Sequence, residues 1–241
     1  MNVKAIIFDK DGTLLSFDAF WLKVSENALS EMKHRFSCPD VSVDELLCSM
    51  GVKDGVIGIE SVLCKGTYRE MAQAMLGIFN SHGCEVSEDE LTDAVVDTYL
   101  KNAGTGDVLP TCDNIKGVLQ QLKDDGIKLA VITTDNYEMT CKCLDKLGIK
   151  EFFDKIYTDD GVIPPKPNPQ SLYDYCNAMG IAKENVIMVG DTMTDVKFAR
   201  NAGIKVIGVG ATEQSRALLA DFADAVVPDI SYVYDVIKGG M

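Results

Sequence analysis

The sequence predicts an α/β fold, in which a parallel sheet carries helices on both faces and an α-helical cap domain is inserted after the first strand. Two observations support this prediction. Short apolar runs alternate along the chain with amphipathic stretches of helical length, a pattern typical of parallel sheets. A long stretch with a helical pattern interrupts this alternation. We therefore expect a Rossmann-like core over residues 1–15 and 109–241 and a helical cap over residues 16–108.

Six apolar segments are the candidate strands of the core. In chain order they lie near residues 3–9, 128–133, 155–157, 186–190, 204–209 and 224–227. Helices fill the gaps, and the stretches 113–125 and 137–147 are each followed by a glycine, where helices commonly end. Parallel strands bind ligands at their carboxyl ends, so that edge of the sheet is the expected site.

The inserted segment contains four candidate helices, near residues 19–36, 43–50, 68–80 and 87–102. Ser87 is followed three residues later by Glu90, which is the spacing of a capping box. An ordinary helical subdomain without a catalytic part is the alternative interpretation of this segment.

Composition narrows the class of protein. The 241 residues, 46% of them hydrophobic, can bury one substantial core plus a smaller appendage. The net charge of −14 argues against a nucleic-acid partner, and no apolar run approaches the roughly 20 residues that span a bilayer. Eight cysteines without a CxxC pair, and no signal peptide before the first strand, favour reduced thiols in a cytoplasmic protein over a disulfide framework.

The end of the first strand presents two carboxylates, Asp9 and Asp11. If the strand geometry persists, alternation makes them share a face while Lys10 points outward. Gly12 permits a sharp turn whose N–H groups are free to face an anion. A solvated turn after a buried strand is the alternative, because Asp and Gly are common there.

Later strand ends carry further polar groups. Asp191 and Asp195 follow the strand at 186–190, and a divalent cation could be held between them and the first acidic pair. Thr133 and Thr134 end the strand at 128–133, where hydroxyls and backbone N–H groups suit phosphate. Lys166 lies between prolines that restrict the backbone around it, so its charge is positioned.

Taken in order, these segments resemble the four motifs of the haloacid dehalogenase superfamily, and specifically its phosphoglycolate-phosphatase and β-phosphoglucomutase-like branch. The DxDGT motif falls on residues 9–13, the hydroxyl motif on Thr133, the lysine motif on Lys166 and the GDxxxD motif on residues 190–195.

The chain departs from this branch at two places. Lys10 stands where the branch often has an apolar residue, and Thr134-Asp135 stands where an Asn-Lys pair is frequent. Neither departure removes a catalytic group, but both could alter local electrostatics or substrate preference.

The resemblance implies a phosphatase that acts on a small phosphorylated metabolite. Asp9 would attack phosphorus to form an aspartyl-phosphate, and Asp11 would protonate the leaving oxygen and then activate water. Thr133 and Lys166 would bind and neutralise the phosphoryl oxygens, with Gly12 and Thr134 also in the substrate site.

The same resemblance implies a Mg²⁺ cofactor. Its expected ligands are Asp9, Asp191 and the backbone carbonyl of Asp11, and Asp195 is expected to give direct or indirect support.

Several alternatives stay open at this point. The substrate could be phosphoglycolate, a sugar phosphate or a nucleotide monophosphate, and the oligomeric state is not predicted. A β-phosphoglucomutase-type phosphomutase is the nearest alternative activity. A non-enzymatic receiver-like domain, which binds a phosphoryl group for signalling, fits less well because its acidic pair is usually adjacent.

Overall fold

The computed structural model describes residues 2–58, 61–159 and 161–240. The chain divides into two compact units. The core unit contains the segments up to Ser16 and from Val108 onward, and the helical unit is Phe17–Asp107. The chain therefore leaves the core unit once and returns to it once.

The described residues contain eight strands. They are β1 (Ala5–Phe8), β2 (Val52–Lys53), β3 (Val56–Ile57), β4 (Lys128–Ile132), β5 (Lys155–Tyr157), β6 (Val186–Gly190), β7 (Lys205–Val209) and β8 (Ala225–Val227).

They also contain eleven α-helices. These are α1 (Phe17–Arg35), α2 (Val43–Ser49), α3 (Val62–Lys65), α4 (Tyr68–Ser81), α5 (Glu88–Asn102), α6 (Ile115–Asp124), α7 (Tyr137–Leu147), α8 (Gln170–Met179), α9 (Met193–Ala202), α10 (Glu213–Ala220) and α11 (Val233–Lys238).

Six strands form one parallel sheet in the order β5-β4-β1-β6-β7-β8. Strand β1 lies in the middle, and its last residue, Phe8, pairs with Val131 on β4 and with Val189 on β6. The segments that follow these three strands consequently leave the sheet at the same edge. This arrangement confirms the predicted α/β fold, and all six predicted core strands are present.

Both faces of the sheet are buried. Ile7 and Met188 pack in a cluster with Tyr175 of α8 and Phe198 of α9. The intervening residues on the same strands, such as Ile6, are also fully buried. Strands buried on both faces read as continuous apolar runs, which is why these segments were visible in the sequence.

Strand β1 ends at Phe8, earlier than predicted, because the chain turns directly after it. The N–H of Leu14 donates to the carbonyl of Lys10 at 2.9 Å, and Gly12 has a φ of +80°. Further along, the N–H of Ser16 donates to the carbonyl of Leu109 at 2.8 Å, so the outgoing and returning segments of the core unit are bonded to each other.

The helical unit contains all four helices expected there. The predicted capping box is present, since the Ser87 side chain accepts from the N–H of Glu90 and the Glu90 side chain accepts from the N–H of Ser87. A second capping box links Thr67 and Glu70 at the start of α4. These caps satisfy N–H groups that have no partner within the helix.

The hairpin of β2 and β3 was not predicted. These two-residue strands pair antiparallel across Asp54-Gly55, and both turn residues have positive φ values, +51° and +75°. An Asp-Gly pair is a common hairpin turn. The strands themselves are too short to show a period-two pattern.

The expectation of reduced thiols is wrong at one pair, because Cys38 and Cys84 form a disulfide in the helical unit. The two cysteines are 46 residues apart in the sequence, and only the folding of the helices between them brings them together. The other cysteines of the described residues form no disulfide.

Within the described residues, no helix has both the length and the apolar character that a membrane span requires.

Candidate active site

The carboxyl ends of β1 and β6 bring three carboxylates together. Asp9 follows β1, Asp191 follows β6, and Asp195 lies in the first turn of α9. Each offers an oxygen atom, and these oxygens all lie within 4.8 Å of one another. The structure thus places these three predicted residues in one cluster.

A buried lysine contacts this cluster. Lys166 Nζ lies 2.5 Å from Asp9 Oδ1 and 2.6 Å from Asp195 Oδ1, and the lysine side chain is only 4% exposed. Lys166 lies in the loop between β5 and α8, and its bond to Pro167 is cis. The two carboxylates raise the pKa of Lys166 even though burial opposes its charged form, so the lysine is held as a cation.

One lysine does not balance three carboxylates. Burial raises the pKa of Asp9 to about 7, the charges on Asp195 and Asp11 add to the rise, and Lys166 opposes it. Burial, together with Asp9 and Asp195, raises the pKa of Asp191 well above its ordinary value. The cluster therefore lacks positive charge, and its hard oxygen donors are those that Mg²⁺ prefers. A divalent cation fits this donor set.

Both carboxylate oxygens of Asp195 already have partners. Oδ1 accepts from Lys166, and Oδ2 accepts from the Thr192 N–H at 3.0 Å and from the Thr192 hydroxyl at 2.7 Å. Asp195 consequently fixes Lys166 and the start of α9. Of the two roles expected for Asp195, direct or indirect support of the metal ion, this arrangement favours the indirect one.

Two glycines make this close packing of carboxylates geometrically feasible. A Cβ atom added to Gly12 would lie 2.1 Å from Asp191 Oδ2, and one added to Gly190 would lie 2.4 Å from Asp195 Cγ. The N–H of Gly12 donates to the carbonyl of Leu15 at 2.8 Å. The expectation that this N–H faces an anion is therefore wrong, and the close approach to Asp191 is the observed reason for glycine at this position.

The side chain of Asp11 does not join the acidic cluster. Its Oδ1 lies 2.7 Å from Lys10 Nζ, and burial raises the pKa of Asp11 while Lys10 opposes the rise. The backbone carbonyl of Asp11 as a metal ligand stays a prediction.

Lys10 contradicts its expected outward orientation. Its side chain is 1% exposed, and Nζ also lies 3.0 Å from Asp135 Oδ2. Burial would lower the pKa of Lys10, but Asp11 and Asp135 raise it above its ordinary value. The strand alternation that predicted an outward side chain stops at Phe8, two residues before Lys10.

The two threonines after β4 differ in burial. Thr133 is buried, its N–H donates to the carbonyl of Tyr157 at 3.0 Å, and its hydroxyl accepts from the N–H of Asp135 at 3.2 Å. Thr134 is exposed, and among the described residues its N–H donates to no protein acceptor. The roles of both threonines in substrate binding stay predictions.

Sequence reasoning missed three contacts of this site. Thr13 donates to Asp191 Oδ1 at 3.2 Å, Thr192 bonds Asp195, and Lys10 pairs with Asp135. The last pair left a signal in the sequence. The two departures from the family pattern introduce charges of opposite sign, and opposite charges are a reason to expect contact.

Solved structures share this fold. A putative phosphoglycolate phosphatase from Lactobacillus delbrueckii has a TM-score of 0.70 at 22% identity, and the match covers 98% of this chain and 99% of that chain. The magnesium-bound putative HAD-hydrolase YfnB from Bacillus subtilis has a TM-score of 0.70 at 16% identity, covering 99% and 100%. These likenesses define the class of fold, that of the HAD hydrolases.

Sequence comparison is more specific. Residues 6–209 match the family of haloacid dehalogenase-like hydrolases, and the chain belongs to this family. Pyrophosphatase PpaX from Halalkalibacterium halodurans is 28% identical to this chain and the match covers 98% of each. A phosphoglycolate phosphatase from Chromobacterium violaceum is 26% identical, with 99% of this chain and 98% of that protein covered.

Proposed function

We propose that this HAD hydrolase is a Mg²⁺-dependent phosphatase that acts on a small phosphorylated metabolite through an aspartyl-phosphate on Asp9. The observation that carries the proposal is the cluster of Asp9, Asp191 and Asp195, in which Asp9 and Asp195 are buried and contact Lys166. The names of the two curated relatives support phosphate chemistry of this kind.

The proposed nucleophile is the Asp9 carboxylate. Its approach to an anionic phosphoryl group is opposed by repulsion of about 4 kcal/mol for unit charges about 4 Å apart at an effective dielectric near 20. Lys166, which donates to Asp9 Oδ1, offsets part of this repulsion. Attack by Asp9 then replaces one difficult displacement with two easier ones.

Asp9 and Asp191 would hold the Mg²⁺ ion, together with the backbone carbonyl of Asp11, and Asp195 would support it indirectly. When bound, the ion supplies positive charge beside the phosphoryl group. Thr13 donates to Asp191 and Thr192 to Asp195, so this chain orients both carboxylates before any ligand arrives.

Asp11 is the proposed general acid and base. Burial raises the pKa of this carboxyl group, which favours a proton on it in the step that expels the leaving oxygen. The Thr133 hydroxyl, the Thr134 N–H and Lys166 would bind the phosphoryl oxygens. Gly12 would contribute the turn that places these groups near the substrate.

Phosphoglycolate-like compounds and sugar phosphates are the proposed substrates, with nucleotide monophosphates still open. The name of the PpaX relative adds inorganic pyrophosphate to the compounds worth testing. A cytoplasmic location belongs to the same proposal, because charged metabolites do not cross an apolar bilayer unaided.

Phosphate release from a panel of these compounds tests the proposal. We expect turnover with Mg²⁺, loss of turnover with EDTA, and loss with Asp9→Asn, whose amide cannot act as the nucleophile. The exposed Asp221→Asn is the matched control and should retain wild-type turnover. Full activity of Asp9→Asn would refute the proposal. Isomerisation of a sugar phosphate without net phosphate release would instead establish the phosphomutase.

A further inference from the structure

A second buried lysine lies beside the site and has no part in the mechanism proposed above. Lys10 Nζ contacts Asp11 Oδ1 at 2.7 Å and Asp135 Oδ2 at 3.0 Å, and the lysine side chain is 1% exposed. A buried charge is tolerated when it is paired and hydrogen-bonded, and these two carboxylates provide that pairing.

The partner of Lys10 is itself fixed. Asp135 lies just before α7, its N–H donates to the Thr133 hydroxyl at 3.2 Å, and its Oδ1 accepts from the N–H of Asn136 at 2.8 Å. Its Oδ2 is the oxygen that contacts Lys10. Lys10 therefore connects the segment after β1 to the segment after β4.

Lys10 contacts one of the two carboxylate oxygens of Asp11, which is Oδ1. A charged hydrogen bond to Oδ1 restricts rotation of the carboxyl group, while among the described residues no donor contacts Oδ2. A general acid works only within hydrogen-bond reach of the atom it protonates, so its orientation matters as much as its presence.

We propose that Lys10 is a positioning residue, which together with Asp135 aims Oδ2 of Asp11 at the leaving oxygen of the substrate. The inference rests on the proposed function. In that reaction the bond from Asp9 to phosphorus forms, the bond from phosphorus to the leaving oxygen breaks, and the proton passes from Asp11 to that oxygen.

Two aryl phosphates separate this role from a merely structural one. p-Nitrophenolate leaves without a proton, whereas the phenolate of phenyl phosphate needs one. We expect Lys10→Met to slow the first-turnover release of phenol by on the order of 100-fold, the scale of general acid catalysis. The same variant should leave the burst of p-nitrophenolate within a few fold of wild type.

Two further variants complete the test. Lys10→Arg keeps a charged donor and should restore most of the phenol rate. Asp135→Asn, which weakens the support of Lys10, should shift the ratio of the two rates in the same direction but less. Lys123→Met is the matched control, since it breaks a half-buried lysine pair with Asp154 elsewhere in the core unit and should leave the ratio unchanged.

Equal slowing of both substrates by Lys10→Met, or no slowing of either, would overturn the positioning role while the proposed function stands. If Lys10→Met does not fold, an unchanged ratio in Asp135→Asn overturns the role equally. Failure of the proposed function is a separate outcome, recognised by turnover in the Asp9→Asn variant or by the lack of any turnover in the wild type.

Discussion

At the scale of single residues, the site depends on how closely backbone and carboxylate approach each other. Gly12 combines a positive φ with contact against Asp191, so both its backbone conformation and its missing side chain are needed there. The closeness of the contact makes this position a sensitive probe of the carboxylates that are proposed to bind Mg²⁺.

Gly12→Ala should lower turnover by at least about 100-fold, because the added Cβ displaces the Asp191 carboxylate and shifts of about 1 Å can have effects of that size. Steady-state kinetics at increasing Mg²⁺ concentrations measure this loss of turnover. The Mg²⁺ concentration that gives half-maximal activity should rise in the variant.

Gly126→Ala is the matched control. Gly126 has a φ of +75°, close to that of Gly12, but an added Cβ would have no atom within 4 Å. This variant should lose roughly 1–2 kcal/mol of stability from the left-handed conformation and keep its activity. Similar kinetics in the two variants would contradict the steric explanation.

The residues of the site were predictable from the sequence to different degrees. Asp9, Asp191 and Asp195 were found because they follow strands β1 and β6. These strands are parallel neighbours, so the residues that follow them lie at the same edge of the sheet. The orientation of Lys10 was not predictable, since it depends on where β1 ends and on a partner in another loop. The prediction of a free N–H group at Gly12 was wrong for a similar reason, because this N–H donates to the carbonyl of Leu15 within the turn.

At the scale of elements, the helices of the helical unit depend on their caps. Ser87 and Glu90 satisfy each other's backbone N–H groups at the start of α5. Ser87→Ala should lower the free energy of unfolding of this unit by about 1 kcal/mol, as is usual for such caps. Trp21 is the only tryptophan of the chain and lies in α1, so urea unfolding followed by its fluorescence reports on this unit.

Ser81→Ala serves as the control for this prediction. The Ser81 hydroxyl donates to the carbonyl of Ile78 at the end of α4 and caps no helix N-terminus. If the urea concentration at the unfolding midpoint is no lower for Ser87→Ala than for Ser81→Ala, the cap contributes nothing measurable to the stability of the helical unit.

Elements with an apolar or periodic pattern were predicted, and the two-residue strands β2 and β3 were missed. The central strands β1, β4, β6 and β7 were found because burial on both faces leaves a nearly uninterrupted apolar run. The edge strand β5 is only half-buried, and its sequence pattern is correspondingly weaker. The β2–β3 hairpin has only two residues per strand, and the Cys38–Cys84 disulfide joins residues 46 apart, so neither has a local signature.

At the scale of the whole molecule, we expect the acidic cluster to make the free energy of unfolding depend on pH and on Mg²⁺. An Asp whose pKa is raised in the folded state binds protons more tightly there than when unfolded. The stabilisation from Asp9 is therefore complete below its ordinary pKa and is lost as the pH rises to about 7. Above that pH the metal-free protein carries a buried, poorly compensated charge.

Asp9→Asn should consequently stabilise the metal-free protein, by up to about 3 kcal/mol more at pH 8 than at pH 5. Thermal unfolding in EDTA at both pH values measures this difference. Added Mg²⁺ should raise the Tm of the wild type more at pH 8 than at pH 5, because protons no longer compete for the cluster. A Mg²⁺ effect that weakens with rising pH would contradict this account of the charges.

The hydrogen bond between the Ser16 N–H and the Leu109 carbonyl bears on how proteins with this architecture can evolve. The hydrogen bond lies within the core unit and joins the two segments between which the helical unit is inserted. This closure of the core unit therefore does not depend on the sequence of the inserted unit. The entropy of closing a loop grows only slowly with its length. One insertion can accordingly be exchanged for another of different size without rebuilding the sheet and the acidic cluster of the core unit.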